Sequence, residues 1–315
     1  MNKKKFLLDT DIGSDIDDIM ALLLCLRLQN FPLVAITTVY NISELRAKIA
    51  RKIIDLENIF IPVGIGKDIP LDRGGILWKT GIEGKGLLTQ EELNMTPDDM
   101  KLNEDGVDLL IEMAYDYAED LEIISIGQFT NIATAIKRDP NFSDKISRIW
   151  SMSAGITFID PLPENFPQSN EEYIAIPSHN IRCDVKAANI VLNSGIPITF
   201  IGNDVTTKII FEESQINEIR EQGSFLNNKI MDLMEIWLNY RSYQFSNKIR
   251  TTCLHDTLVV AEAYGMNFTD KINIDISIKK TGETAVFYNP DSLYEISHSV
   301  NSGDFMRWYL NQICA

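Results

Sequence analysis

Apolar runs of strand length alternate with segments of helical period along most of this 315-residue chain, and no other feature restricts its fold so strongly. KFLLD at 5–9, LVAITTV at 33–39, EIISIG at 122–127, ISRIWSM at 146–152 and PITFIG at 197–202 read as strands. Between them, DIMALLLCLRL, SELRAKIARKIIDL, GVDLLIEMAYDYAE, NIATAIKR and VKAANIVLN repeat their apolar residues at helical spacing. Strands so separated pair in parallel through helical crossovers. The expected class is therefore α/β, with one open, mostly parallel (mixed) sheet and helices on both faces. The chain has no internal repeat, low-complexity tract or Gly/Ser linker. Its 45% hydrophobic content is enough to bury a sizeable core, so a single domain spanning 1–315 is expected.

In open sheets of this kind, ligands bind outside the carboxyl ends of the strands. Polar residues collect at those positions: Asp9 and Asp11 after the first strand, Asn41 after the second, Thr130 and Asn131 after EIISIG, and Asn203 and Asp204 after PITFIG. LHDTLVVAEAYG adds His255 and Asp256 at the start of an apolar helix. The densest group is LLDTDIGSDIDDIMALLL, with Asp9, Asp11, Asp15, Asp17 and Asp18. Helix capping and the macrodipole account for two of these, with Asp15 as an N-cap candidate. They do not account for Asp9 and Asp11 at the end of an apolar strand, where an ionised carboxylate needs a partner or a metal. A hard cation satisfies several carboxylates at once. The run is not an EF-hand, because Gly13 falls at the fifth loop position and Met20 at the twelfth.

A formal charge of −16 makes nucleic acid a poor partner and favours a divalent cation or a small neutral molecule. Cys25, Cys183, Cys253 and Cys314 have neither zinc-site spacing nor the density of a disulfide scaffold, which points to a reducing compartment. In MNKKKFLLDTD, the apolar stretch is too short for a signal peptide or a membrane span, so a soluble, cytoplasmic protein with no membrane partner is expected. An Asp-x-Asp after a strand also occurs in phosphatases of the haloacid dehalogenase type. Gly13 stands where those enzymes carry Thr or Val, and no lysine accompanies the other polar clusters.

The full acidic run resembles the D-x-D-x-G-x-D-D signature of the inosine-uridine-preferring nucleoside hydrolase family, with two extra residues before the Asp17-Asp18 pair. AITTVYN, GIEGKGLL, SIGQFTNIATAI, SHNIRCDVKAANIVLNSGIPITFIGNDVT and LHDTLVVA are similar to further blocks of that family, in the same order. The resemblance implies a Rossmann-like nucleoside hydrolase fold and Ca²⁺-assisted hydrolysis of ribonucleosides in base salvage, by an enzyme that is often a dimer or tetramer. By motif position it implies Ca²⁺ ligands at Asp11, Asp18, Asp256 and the main-chain carbonyl of Thr130, with Asp9 supporting them from behind. Asp11 is the implied general base on a metal-bound water, and His255 the implied acid for the departing base. The implied substrate-facing residues are Asp17, Asn41 and Asn180 for ribose, together with Met152, Asn170 and Ser178. Ser178 stands where the family commonly has a glutamate, and Ile82 where it commonly has a histidine. Trp78, Tyr240 and Tyr243 are candidates for stacking on the base, although Met231, Met234, Trp237 and Leu238 fall at core-like helical spacing. His179 reads as pocket lining and His298 as structural. A calcium-bound nucleoside or sugar binder without turnover is the non-enzymatic alternative.

Overall fold

A computed structural model describes residues 4–72, 77–156, 167, 171–222 and 224–315. Its strands are β1 Lys5–Thr10, β2 Leu33–Thr38, β3 Val63–Ile65, β4 Leu121–Ser125, β5 Ile146–Ser151, β6 Glu172–Ala175 and β7 Ile198–Phe200, followed by β8 Ile210–Glu212, β9 Thr251–Cys253, β10 Thr269–Ile278, β11 Thr284–Tyr288 and β12 Tyr294–Val300. Ten of them form one sheet in the order β3-β2-β1-β4-β5-β7-β12-β10-β11-β6, while β8 and β9 pair separately. From β3 to β12 every pairing is parallel, and β10, β11 and β6 extend the sheet in antiparallel fashion. The mixed sheet expected from the sequence is present. Its antiparallel part is built from β10, β11 and β12, which follow one another with no helix between them, and is closed at its outer edge by β6 from earlier in the chain.

All five strands and all five helices read from the pattern are found, the helices at Asp17–Arg27, Ser43–Leu56, Gly106–Tyr117, Thr130–Arg138 and Val185–Leu192. Two apolar clusters flank the sheet, one containing Phe6, Leu8 and Ile36, the other Leu7, Ala35 and Ile123. Adjacent residues of β1 thus serve opposite faces, as strand geometry requires. No described helix is long and apolar enough to cross a membrane.

The chain runs outward from β1 to β2 and β3 on one side, then returns to β4 and β5 on the other. The order therefore reverses between β1 and β4, which makes the carboxyl ends of these two strands the place where a crevice opens. Asn131 braces this point. Its amide donates to Asp9 Oδ1 at 2.7 Å and to the Thr38 carbonyl at 3.0 Å, and accepts from Lys67 N at 2.8 Å. Gly66 permits that approach, since a Cβ there would lie 2.1 Å from Thr38 O and 2.3 Å from Asn131 Nδ2. Gly66→Ala is accordingly expected to destabilise the protein by about 3 kcal/mol in chemical denaturation, through overpacking against backbone. A loss below about 1 kcal/mol would show that the brace yields.

Candidate active site

The chain leaves β1 through Asp9 and Thr10 and turns at Gly13, whose φ of 109° disfavours any side chain. The helix Asp17–Arg27 follows Ile16 without a side-chain cap, so Asp15 is not its N-cap; instead Asp15 Oδ1 accepts the Ile16 N–H at 2.6 Å. Asp17 and Asp18 occupy the first turn of this helix. Asp256 occupies the first turn of the helix His255–Tyr264, which packs against it. Carboxylate oxygens of Asp17, Asp18 and Asp256 lie within 4.8 Å of one another, and all three residues are buried. Both helix N-termini favour negative charge there.

These residues line a cleft of ≈ 270 Å³ whose walls also include Asp11, Asp15, Met152, Asn180 and His255. Trp78, His179, Ile126, Ser14 and Asn203 complete it. That size suits a small polar ligand. Gln128 is fully buried and donates to Asp11 Oδ2 at 3.0 Å and to Asn180 Oδ1 at 3.3 Å, so the two walls are fixed relative to each other. Asn180 Nδ2 in turn donates to the carbonyls of Ile126 at 2.8 Å and Met152 at 3.0 Å. Asn180 therefore faces the cleft with its donors already committed, leaving its oxygen as the group able to meet a ligand. Trp78 and Tyr40 each meet the His179 ring edge-on at 5.9 Å. His255 Nδ1 lies 2.8 Å from Thr206 Oγ1.

Burial raises the Asp17, Asp18 and Asp256 carboxyl groups well above their usual range, and repulsion among the neighbouring carboxylates adds to it. Asp9, behind the cleft, is pushed up to about 7 by burial, against the hydrogen bonds from Thr37 and Asn131. Burial also raises Asp15 to about 6 and lowers His255 to about 4, with the Arg241 charge contributing to the latter. Asp9 Oδ2 is buried without a hydrogen-bond partner. An all-oxygen donor set of three converging carboxylates, their carboxyl groups raised by burial and mutual repulsion, fits a hard divalent cation.

Several expected site residues lie elsewhere. Thr130 begins the helix Thr130–Arg138; its carbonyl accepts from Thr134 Oγ1 at 2.6 Å and its hydroxyl donates to Asp184 at 2.7 Å. Ile126, immediately after β4, lines the cleft, and its carbonyl accepts from Asn180 Nδ2. Ser178 is buried, and its hydroxyl accepts from Ala154 N and Ile181 N, so it serves as a helix cap and does not line the cleft. Asn41 stands beside the cleft, bonded to the Trp78 carbonyl at 3.4 Å. Tyr243 is 85% exposed, and Tyr240 stacks on Trp237 with ring centroids 5.7 Å apart, so neither ring lines the cleft. Ile82 lines a smaller apolar recess adjoining Ser14 and Asp15. Asn170 falls outside the described residues. Gln128 was missed, although a polar residue just beyond an apolar strand was the available signal. No lysine or arginine is found among the described residues lining the cleft, so nothing there prepares it for a phosphate ester.

Comparison with known proteins agrees with this geometry. A family model described as inosine-uridine preferring nucleoside hydrolase matches residues 6–307. The inosine-uridine preferring nucleoside hydrolase of Crithidia fasciculata is 26% identical over 301 residues, covering 91% of this chain and 89% of that protein. Uridine nucleosidase 1 of Arabidopsis thaliana is 28% identical over 259 residues, covering 80% of this chain and 71% of the plant protein. A solved structure of the purine-preferring ribonucleoside hydrolase from Gardnerella vaginalis shares the fold with a TM-score of 0.80 at 23% identity, covering 99% of this chain and 98% of that one. With its acidic cleft at the switch point of a mostly parallel sheet and a match over nearly its whole length, this chain belongs to the inosine-uridine-preferring nucleoside hydrolase family of N-glycosidases.

Proposed function

We propose that this protein hydrolyses the N-glycosidic bond of ribonucleosides, releasing ribose and the free base, with Ca²⁺ as its bound ion and Asp11 as general base. The observation that carries the proposal is the group of three buried carboxylates, Asp17, Asp18 and Asp256, beside Asp11 in a cleft of nucleoside size. Asp18 and Asp256, with Asp17 or Asp11 and the Ile126 carbonyl, are the residues that would hold the cation. When bound, the ion would acidify water and anchor sugar hydroxyls.

The chain's own residues divide the remaining work. Gln128 holds one Asp11 oxygen, which leaves the other to take a proton from the water that attacks the anomeric carbon. As the bond to the base breaks, its electron pair leaves with the base nitrogen, and the anionic walls favour the positive charge that builds on the sugar. Asp17 and the Asn180 oxygen position ribose hydroxyls, while Trp78 and His179 offer ring surfaces to the base. His255 is neutral near pH 7, because burial keeps its pKa at about 4. It therefore acts on the departing base through a neutral ring N–H, which requires no resident imidazolium.

Asp11→Asn is expected to lower turnover by about a thousandfold with the thermal midpoint preserved, measured as chelator-sensitive ribose release from a panel of nucleosides. Turnover near the wild-type rate in that variant would remove Asp11 from the general-base role, and absence of ribose release by the wild type would defeat the proposal. His255→Ala is expected to slow nucleoside hydrolysis far more than hydrolysis of p-nitrophenyl riboside, whose leaving group needs little help; equal losses would exclude a contact with the base.

The raised carboxyl groups also set a pH dependence. Between the ordinary aspartate value and the value of about 7 reached by Asp9, the folded protein keeps protons that the unfolded chain has released. Stability conferred by those protons is complete below the ordinary aspartate range and is lost as pH rises through the folded-state values. The cation-free protein is thus expected to melt lower at about pH 8 than at about pH 5, and added Ca²⁺ to raise the midpoint more at the higher pH. A calcium shift that is equal at both would show that protons and cation do not compete for these carboxylates.

A further inference from the structure

We propose that Arg46 is a positioning residue for this reaction, locking the Asp11 loop and the Asn41 turn into one unit through a single buried guanidinium. Arg46 is 0% exposed, and among the described residues no carboxylate pairs with it. Nε donates to the Tyr40 carbonyl at 2.7 Å and the Asn41 carbonyl at 3.0 Å. One terminal nitrogen donates to the carbonyl of Asp11 and, at 3.0 Å, to that of Ile12. The other donates to Ser14 Oγ at 3.0 Å. A buried cation satisfied by main-chain oxygens from two loops is a costly arrangement for stability alone.

The segments it joins are those that need restraint. Tyr40, Asn41 and Ile42 have φ of 70°, 33° and 61° in succession, a left-handed stretch disfavoured most at the β-branched Ile42. That turn carries Trp78: Tyr40 Oη accepts from Trp78 N at 2.8 Å, and Asn41 Nδ2 donates to Trp78 O at 3.4 Å. On the other side, Ser14 Oγ donates a hydrogen bond to Glu83 at 3.0 Å, and Glu83 also accepts from the main-chain N–H groups of Thr80 at 2.6 Å and Gly81 at 2.8 Å. One guanidinium therefore ties together the peptide of the proposed general base, the turn behind the aromatic wall and the glycine-rich loop. The Asp17, Asp18 and Asp256 group lies on two helices to which Arg46 donates no hydrogen bond. Arg46 thus positions Asp11 and the aromatic wall, and it bears on the cation only through Asp11 and through the charge it presents to Asp18.

This inference rests on the hydrolase reading above, and its test separates the two. Lysine keeps the charge of Arg46 but cannot span both loops with a planar fork of five donors. Arg46→Lys is expected to lower kcat about a hundredfold, while KM and the calorimetric Ca²⁺ affinity each weaken by less than about tenfold. Amide exchange is expected to quicken in the segments 11–14 and 40–42. Three results would each overturn the proposal: unchanged kcat, a calcium affinity that falls in step with kcat, or unchanged exchange in both segments. A wild-type protein that releases no ribose defeats the hydrolase reading instead, and exchange still decides whether Arg46 holds the loops. If Arg46→Lys does not fold, the double variant with Ile42→Gly supplies a residue that accepts positive φ, and the same criteria apply.

Discussion

The molecule is organised around the repulsion among carboxylates gathered at the carboxyl ends of β1 and β4. Asp9, Asp15, Asp17, Asp18 and Asp256 all carry carboxyl groups raised by desolvation, four of them fully inside and Asp15 at the cleft wall, most of them beside others of the same charge. Several kcal/mol oppose each buried charge of this kind unless something compensates it. Much of the nearby structure supplies such compensation: Thr10 donates to Asp18 at 2.5 Å, Thr37 and Asn131 hold Asp9, and Gln128 holds Asp11. Two helix N-termini and a hard cation are consistent answers to the same repulsion.

Because Asp9, Asp11, Asp15 and Asp18 are held by different partners, a single acidic cluster separates into distinct groups. Asp17, Asp18 and Asp256 converge on one point. Asp11 lies at the cleft wall with one oxygen tethered by Gln128. Asp9 is withdrawn behind the cleft among the hydroxyl of Thr37 and the amide of Asn131, so it shapes the field without touching a ligand. In the proposed reaction, the position of each group relative to the sugar matters more than any unusual acidity.

The architecture was legible because period decides it. A strand such as LVAITTV and a helix such as SELRAKIARKIIDL bury different faces, and their alternation leaves few topologies open. The acidic motif and the His255-Asp256 pair were legible for a related reason, since carboxylates placed where an apolar strand gives way to an apolar helix have few stable uses. The residues that lie away from the cleft are those whose type fits two roles. Thr130 lies in the segment after β4, but its carbonyl accepts from Thr134 of its own helix, and Ile126 is the residue of that segment that lines the cleft. Ser178 looked like a shortened substrate contact and is a buried cap. Tyr243 looked like a stacking residue and points into solvent.

The sequence by itself determined the class of the fold, the end of the sheet where chemistry would collect, and the hard-oxygen character of that site, because these follow from periodicity and from the cost of burying charge. Tertiary structure alone decided which groups meet. Gln128 bridges to Asp11 and Asn180 across 117 and 52 residues of chain, and Arg46 reaches the Asp11 carbonyl across 35. Such contacts leave no local signature, since a hydrogen bond between distant segments is fixed by where the sheet places their backbones and by the absence of any other partner once water has been excluded.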